Sequence, residues 1–224
     1  MENLTIVLFL SIVMPLFPVL FILPDKRSRI LLGYLMIGVF VCMTAAYVNT
    51  QLFLVLDREI EYITTNITPI SEELMKALPI LLFAWIVSDD RDTLVSIAFV
   101  LGVGFAILEN AVILTQSIEE ATVTWALFRG IGAALMHGTC TAAVGLGLGF
   151  IRKRKKLFYC GTFSLLIVAI LYHAIFNSLV QSSFRMAAFF LPGAVYVIVA
   201  EIAFAQRHSR KSTYPEKAGA EIKE

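Results

Sequence analysis

Residues 93–116 read TLVSIAFVLGVGFAILENAVILTQ, an apolar run interrupted by a single charged side chain, Glu109. Wound as a helix at 1.5 Å per residue, such a run reaches about 36 Å, enough to cross a hydrocarbon core of about 30 Å. Six other segments repeat the pattern, at 4–23, 30–56, 71–87, 122–151, 157–181 and 186–206. Only 16% of the 224 residues are charged and 58% are hydrophobic, with mean hydropathy +0.82. Soluble domains carry about a quarter charged residues to cover their surfaces, so a water-soluble fold is excluded. The expected architecture is all-α: a polytopic transmembrane bundle of about seven spans.

One unit is expected over 1–206, followed by a polar, disordered tail at 207–224. Residues 57–70 are too polar for a span and fit a surface loop or a segment dipping into the membrane. The start, Met1-Glu2-Asn3, lacks the basic stretch of a cleavable signal, so the first run reads as a retained helix. Cys42, Cys140 and Cys160 fall in or beside apolar runs without metal-like spacing and read as packing residues.

Basic residues orient the bundle. Alternate loops hold Lys26, Arg27 and Arg29; Arg91; the run from Arg152 to Lys156; and the basic tail. The opposite loops hold Arg58 and Arg185 beside Glu119 and Glu120. Cytoplasmic loops concentrate Lys and Arg, which places the N-terminus outside and the C-terminus in the cytoplasm. A multi-pass cell-membrane protein in contact with the lipid bilayer is expected, with no nucleic-acid partner.

The remaining ionisable residues lie inside spans: Glu72, Glu73, Lys76, Glu109, Arg129, His137 and His173. Each costs about 2.5–3.5 kcal/mol at the middle of a span, so such residues generally mark function. Counting from the cytoplasmic anchors puts Glu109 and His173 about 5 Å, and His137 about 8 Å, below the outer surface. Glu72 and Glu73 open the span that starts outside. Four helices thus deliver polar groups to one level. Singly, each has a plainer explanation: a glutamate balancing a helix dipole, a histidine bridging helices, an Arg129 anchored at the interface. Their common depth argues for one site.

Local spacing adds detail. Glu72 and Lys76 are four apart, in the order that favours an ion pair, and Ser71 after Pro69 suits a helix cap that leaves both glutamates in the first turn. His173 and Asn177 share a helix face. Asn110 points about 100° away from Glu109, as a helix-bonding amide would. The glycines of Gly102-Val-Gly104 and of Gly145 to Gly149 read as close-packing positions.

In order, these residues form EExxK (Glu72, Glu73, Lys76), FxxxEN (Phe105, Glu109, Asn110), Arg129 with His137, and HxxxN (His173, Asn177). The set resembles the PrsW family of intramembrane proteases, and more distantly the CAAX-protease and bacteriocin-processing (CPBP) membrane endopeptidases. The resemblance covers about 71–180. It implies peptide hydrolysis by a water that Glu72 or Glu73 activates together with Glu109. His173 and Asn177 would stabilise the oxyanion, His137 would orient or shuttle protons, and Lys76, Asn110 and Arg129 would support them. The implied partner is a single-span membrane protein cut near its extracytoplasmic juxtamembrane segment, as relatives cut anti-sigma factors. No cofactor is required on this reading; the alternative is zinc held by Glu73, Glu109, His137 and His173. A transporter or proton relay, or a non-catalytic scaffold, is the competing class. Relays place polar groups along the crossing or at its midplane, whereas here the inner half is apolar.

Overall fold

The computed structural model describes residues 2–119 and 121–213, and these are helical with short connections. The first apolar run is split into α1 (Glu2–Val13) and α2 (Leu16–Ile22). The break falls at Met14 and Pro15, because Pro15 has no N–H to return to the Ser11 carbonyl. Then come α3 (Lys26–Leu56), a single turn α4 (Ile60–Tyr62), α5 (Thr68–Ile86), α6 (Arg91–Gln116), α7 (Val123–Leu148), α8 (Lys155–Gln181) and α9 (Arg185–Thr213). Caps mark several starts. Asp25 accepts from the Ser28 N–H at 2.8 Å, Asp90 from that of Thr93 at 2.9 Å, and Thr122 from that of Trp125 at 3.1 Å. Those bonds hold the Asp25 and Asp90 carboxyls below their ordinary range.

Five helices among the described residues are long and apolar enough to cross a membrane: Leu4–Ile22, taken through its break, α3, α6, α7 and α8. The apolar stretch of α9, Arg185–Val199, is shorter, and α5 carries Glu72, Glu73 and Lys76 within one window. The final helix runs to Thr213, past the expected tail boundary at 206, and 214–224 lie outside the described residues, as does Glu120.

Residues 57–70 are largely helical rather than a surface loop. α3 stops at Asp57 in the left-handed conformation (φ 48°), and α4 runs through a π-helical turn, Ile63–Ile67, directly into α5. α5 therefore starts at Thr68, four residues earlier than a Ser71 cap requires. The Ser71 hydroxyl instead donates to the Thr68 carbonyl and to Asn49 Oδ1, and Glu72 and Glu73 fall in the second turn.

Glycines let α3, α6 and α7 touch. A Cβ on Gly38 would meet the Leu101 carbonyl, one on Gly104 the Leu35 carbonyl, and one on Gly102 the carbonyl of His137. Gly145 faces Ala98 and Leu94 at similarly short range. Close backbone approach of this kind, together with dispersion contacts, holds helices together where lipid is as apolar as the core. It also brings the His137 turn of α7 directly onto α6.

Candidate active site

The site lies at the bundle end that carries the α6–α7 and α8–α9 connections. α5 contributes Glu72, Glu73 and Lys76; α6 contributes Glu109; α7 contributes Arg129 and His137; α8 contributes His173. Lys76, His137 and His173 are wholly buried and Glu73 almost so. An ammonium can only donate, so its contacts define their partners. Lys76 Nζ lies 2.6 Å from Glu73 Oε1 and 2.8 Å from His137 Nδ1, above the Phe105 ring at 4.8 Å. His137 Nδ1 is thereby an acceptor, and its proton sits on Nε2, which donates to Glu109 Oε2 at 3.0 Å. The Arg129 guanidinium approaches the same carboxylate oxygen at 4.0 Å.

Glu73 Oε1 also accepts from His173 Nδ1 at 2.8 Å. That bond leaves the Nε2 lone pair of His173 free, and Nε2 lies 3.8 Å from Glu72 Oε2. Both of these buried atoms lack a hydrogen-bond partner. The other oxygen, Glu72 Oε1, accepts from the Asn49 amide at 3.0 Å, and Asn49 is itself held by Ser71. Burying polar atoms without partners is costly, so two such atoms facing each other mark the place where a water, a substrate group or a cation belongs.

The structure thus joins Glu72, Glu73, Lys76, Glu109, Arg129, His137 and His173, with three changes from the sequence reading. Lys76 pairs with Glu73, three residues before it, and not with Glu72, whose Oε1 is taken by the Asn49 amide of α3. Asn177 does not join the carboxylates; its amide donates to the Thr64 carbonyl at 2.9 Å. In the π register that carbonyl would bond residue 69, and Pro69 has no N–H to offer. Asn110 lies beside the cluster with its buried Oδ1 accepting no hydrogen bond. Asn49 is the site residue that sequence reasoning missed; a lone amide near the end of an apolar span carries no pattern to find it by.

The zinc set also changes. Among the described residues, the group whose donor atoms converge, within 4.8 Å of one another, is Glu72, His137 and His173. Glu73 Oε1 is taken up by Lys76 and His173 Nδ1, and Glu109 by His137 and Arg129. Glu72 Oε2 and His173 Nε2, two of the unpartnered buried atoms, suit a cation, and a carboxylate behind a ligating imidazole, as Glu73 stands behind His173, is the usual support for one. Both nitrogens of the third residue, His137, are in use, Nε2 towards Glu109 and Nδ1 towards Lys76.

Buried carboxylates and imidazoles converging from four helices of a multi-pass bundle are the equipment of a hydrolase working inside the membrane. Residues 26–205 match the model of the PrsW family intramembrane metalloprotease, and the chain belongs to that family. It is a multi-pass membrane protease. No curated protein and no solved structure matches the chain.

Proposed function

We propose that this protein is an intramembrane endopeptidase that hydrolyses a single-span membrane protein with a water activated by Glu72. The observation that carries this reading is the pair of unpartnered buried atoms, Glu72 Oε2 and His173 Nε2, 3.8 Å apart. A water between them donates one hydrogen to each. Glu72 takes its proton as the water oxygen bonds to the scissile carbonyl carbon, then returns it to the departing amine as the C–N bond breaks. Glu73 holds the His173 imidazole in the tautomer that presents Nε2, and Lys76 keeps Glu73 ionised in that role. Lys76 and Arg129 supply positive charge for the oxyanion in a largely buried site. Glu72 is the base of the pair because Glu73 is already engaged by a cation and an imidazole.

The basic loops between α2 and α3, α5 and α6, and α7 and α8 support a cytoplasmic placement for the end opposite the site. Cleavage then falls in the extracytoplasmic juxtamembrane segment of the substrate, for which anti-sigma factors are the first class to try. Zinc is the second reading, favoured by the convergence of Glu72, His137 and His173. Those residues would hold it, and zinc supplies Lewis acidity towards the scissile carbonyl. Holding it requires His137 to exchange its bond to Glu109.

The test is co-expression of single-span reporter proteins with the wild-type chain or its Glu72→Gln variant. Cleavage is expected with the first and not the second, and cleavage by a chain lacking both Glu72 and Glu73 would overturn the protease reading. Purified protein that cleaves after stringent chelation supports the metal-free mechanism. Loss of cleavage that zinc alone restores replaces it with the second reading.

A further inference from the structure

The site opens beside Glu109 and Glu72. Glu73, Lys76, His137 and His173 are closed off, whereas Glu109 keeps 23% of its side-chain surface exposed and Glu72 keeps 7%. Both of these residues line a largely apolar cleft of about 80 Å³ together with Thr5 of α1, Cys42 and Ala46 of α3, and Val112 and Ile113 of α6. A water occupies about 30 Å³ of liquid, so the cleft admits a few waters and no peptide.

Something must move for a substrate backbone to reach Glu72. Of the five helices able to cross the membrane, Leu4–Ile22 is the least enclosed, with 11% of its apolar window buried against 33% for α3 and 44% for α6. α1 leans on the bundle through Val13, Leu8, Phe9 and Ile12, and Phe9 meets the edge of Phe40 at 6.0 Å. Lipid tails replace contacts of this kind at little cost. The break at Met14–Pro15 supplies a hinge. Pro15 offers no N–H to Ser11, and Pro18 offers none to Met14, whose carbonyl accepts from Phe17 N–H at 3.3 Å.

We infer that α1 is a lateral gate, and that the extended juxtamembrane segment of a single-span substrate reaches Glu72 and Glu109 through the α1–α3–α6 cleft when α1 swings aside. The inference rests on the protease reading. The occupant is an extended chain because the opening is flanked by apolar side chains and ends on two carboxylates that face a peptide group. α1 also precedes the 26–205 region matched to the family, so the gate belongs to the part of this chain outside that match.

The experiment uses the full chain in proteoliposomes with Thr5→Cys beside native Cys42, Cys140→Ala and Cys160→Ser, and a short bis-methanethiosulfonate cross-linker. The probe is the single-span reporter that the wild-type chain cleaves. Cross-linking Cys42 to the residue at position 5 is expected to lower cleavage at least tenfold, with recovery on adding dithiothreitol. Cross-linked protein that cleaves at the uncross-linked rate overturns the gate while leaving the protease reading intact. Failure of the pair to cross-link, read by mass, overturns the placement of α1 over the cleft. A folded wild-type chain that cleaves no single-span reporter sinks the protease reading and the gate together.

Discussion

Lys76 offers the sharpest test of the site geometry, because its outcome depends on no substrate. Its Nζ touches Glu73 Oε1 at 2.6 Å and His137 Nδ1 at 2.8 Å, and all three side chains are buried. Lys76→Met keeps the volume but leaves Glu73 as a buried, unpaired charge, a change that costs about 3–5 kcal/mol where a buried pair is broken from one side. Glu73→Gln strands the ammonium instead, although its amide oxygen can still accept from His173 Nδ1. Combining the two removes both charges. The double variant then lacks mainly the donor to His137 Nδ1, a loss of about 1–2 kcal/mol. The two single costs should therefore exceed the double cost by several kcal/mol, more than the about 0.5–3 kcal/mol typical of contacting residues. Equilibrium unfolding of the four proteins in mixed micelles, followed by helical signal, measures this coupling. Single costs that add to within about 0.5 kcal/mol would refute the buried pair.

Further outcomes follow from neighbouring residues. Asn49→Ala removes the amide that holds Glu72 Oε1; a hydrogen bond to a charged group is worth about 1.5–3 kcal/mol, so cleavage should fall roughly 10- to 150-fold while helical content stays unchanged. Equal rates for the two proteins would remove Asn49 from the site. Gly102→Ala drives a methyl into the His137 carbonyl and should cost about 1–3 kcal/mol as well as activity, whereas Gly33→Ala, which meets nothing within 4 Å, should be neutral or mildly stabilising in the same unfolding assay. Asp90→Ala removes an exposed cap and should cost about 0.5 kcal/mol at neutral pH. Because folding lowers the Asp90 carboxyl, its contribution is complete above the ordinary carboxylate range near 4 and is lost as pH falls through the lower folded value. The wild-type and Asp90→Ala unfolding curves should converge in acid, and a gap that persists there would contradict the cap.

Much of the site was legible because charge inside an apolar span is conspicuous. Glu109, His137 and His173 each stand alone in hydrophobic runs, and counting turns from the basic anchors sufficed to bring them together. The roles of Glu72 and Glu73 were not legible in that way. The two differ by about 100° around α5, so which faces α7 and α8 depends on where that helix starts, and the start depends on the π-helical turn. Asn177 was misread for a related reason. Its partner is a carbonyl that Pro69 leaves free, a backbone debt visible only once the segment before α5 is known to be helical. The seven apolar runs were placed correctly in order, yet the first is two helices, since hydropathy averages across Pro15 without registering its missing donor.

These placements explain why a membrane bundle tolerates so many ionisable groups at one level. Glu73 is matched by Lys76 at 2.6 Å, and Glu109 by His137 at 3.0 Å, so two of the three carboxylates are hydrogen-bonded to a cation or an imidazole. Glu72 has a neutral amide on one oxygen and an unpartnered imidazole nitrogen 3.8 Å from the other. The matched groups hold His137 and His173 in place, and Glu72 lines the cleft. On the proposed mechanism, that division separates the supporting residues from the base. A site built to store charge or pass an ion across the membrane would continue the polar groups towards the other end. Below Lys76 and His137, however, the buried positions are Ile80, Phe83, Ala84, Cys140, Thr141 and Val144, and no acidic or basic side chain is buried there among the described residues. The cluster of ionisable groups stops at the level of Lys76 and His137.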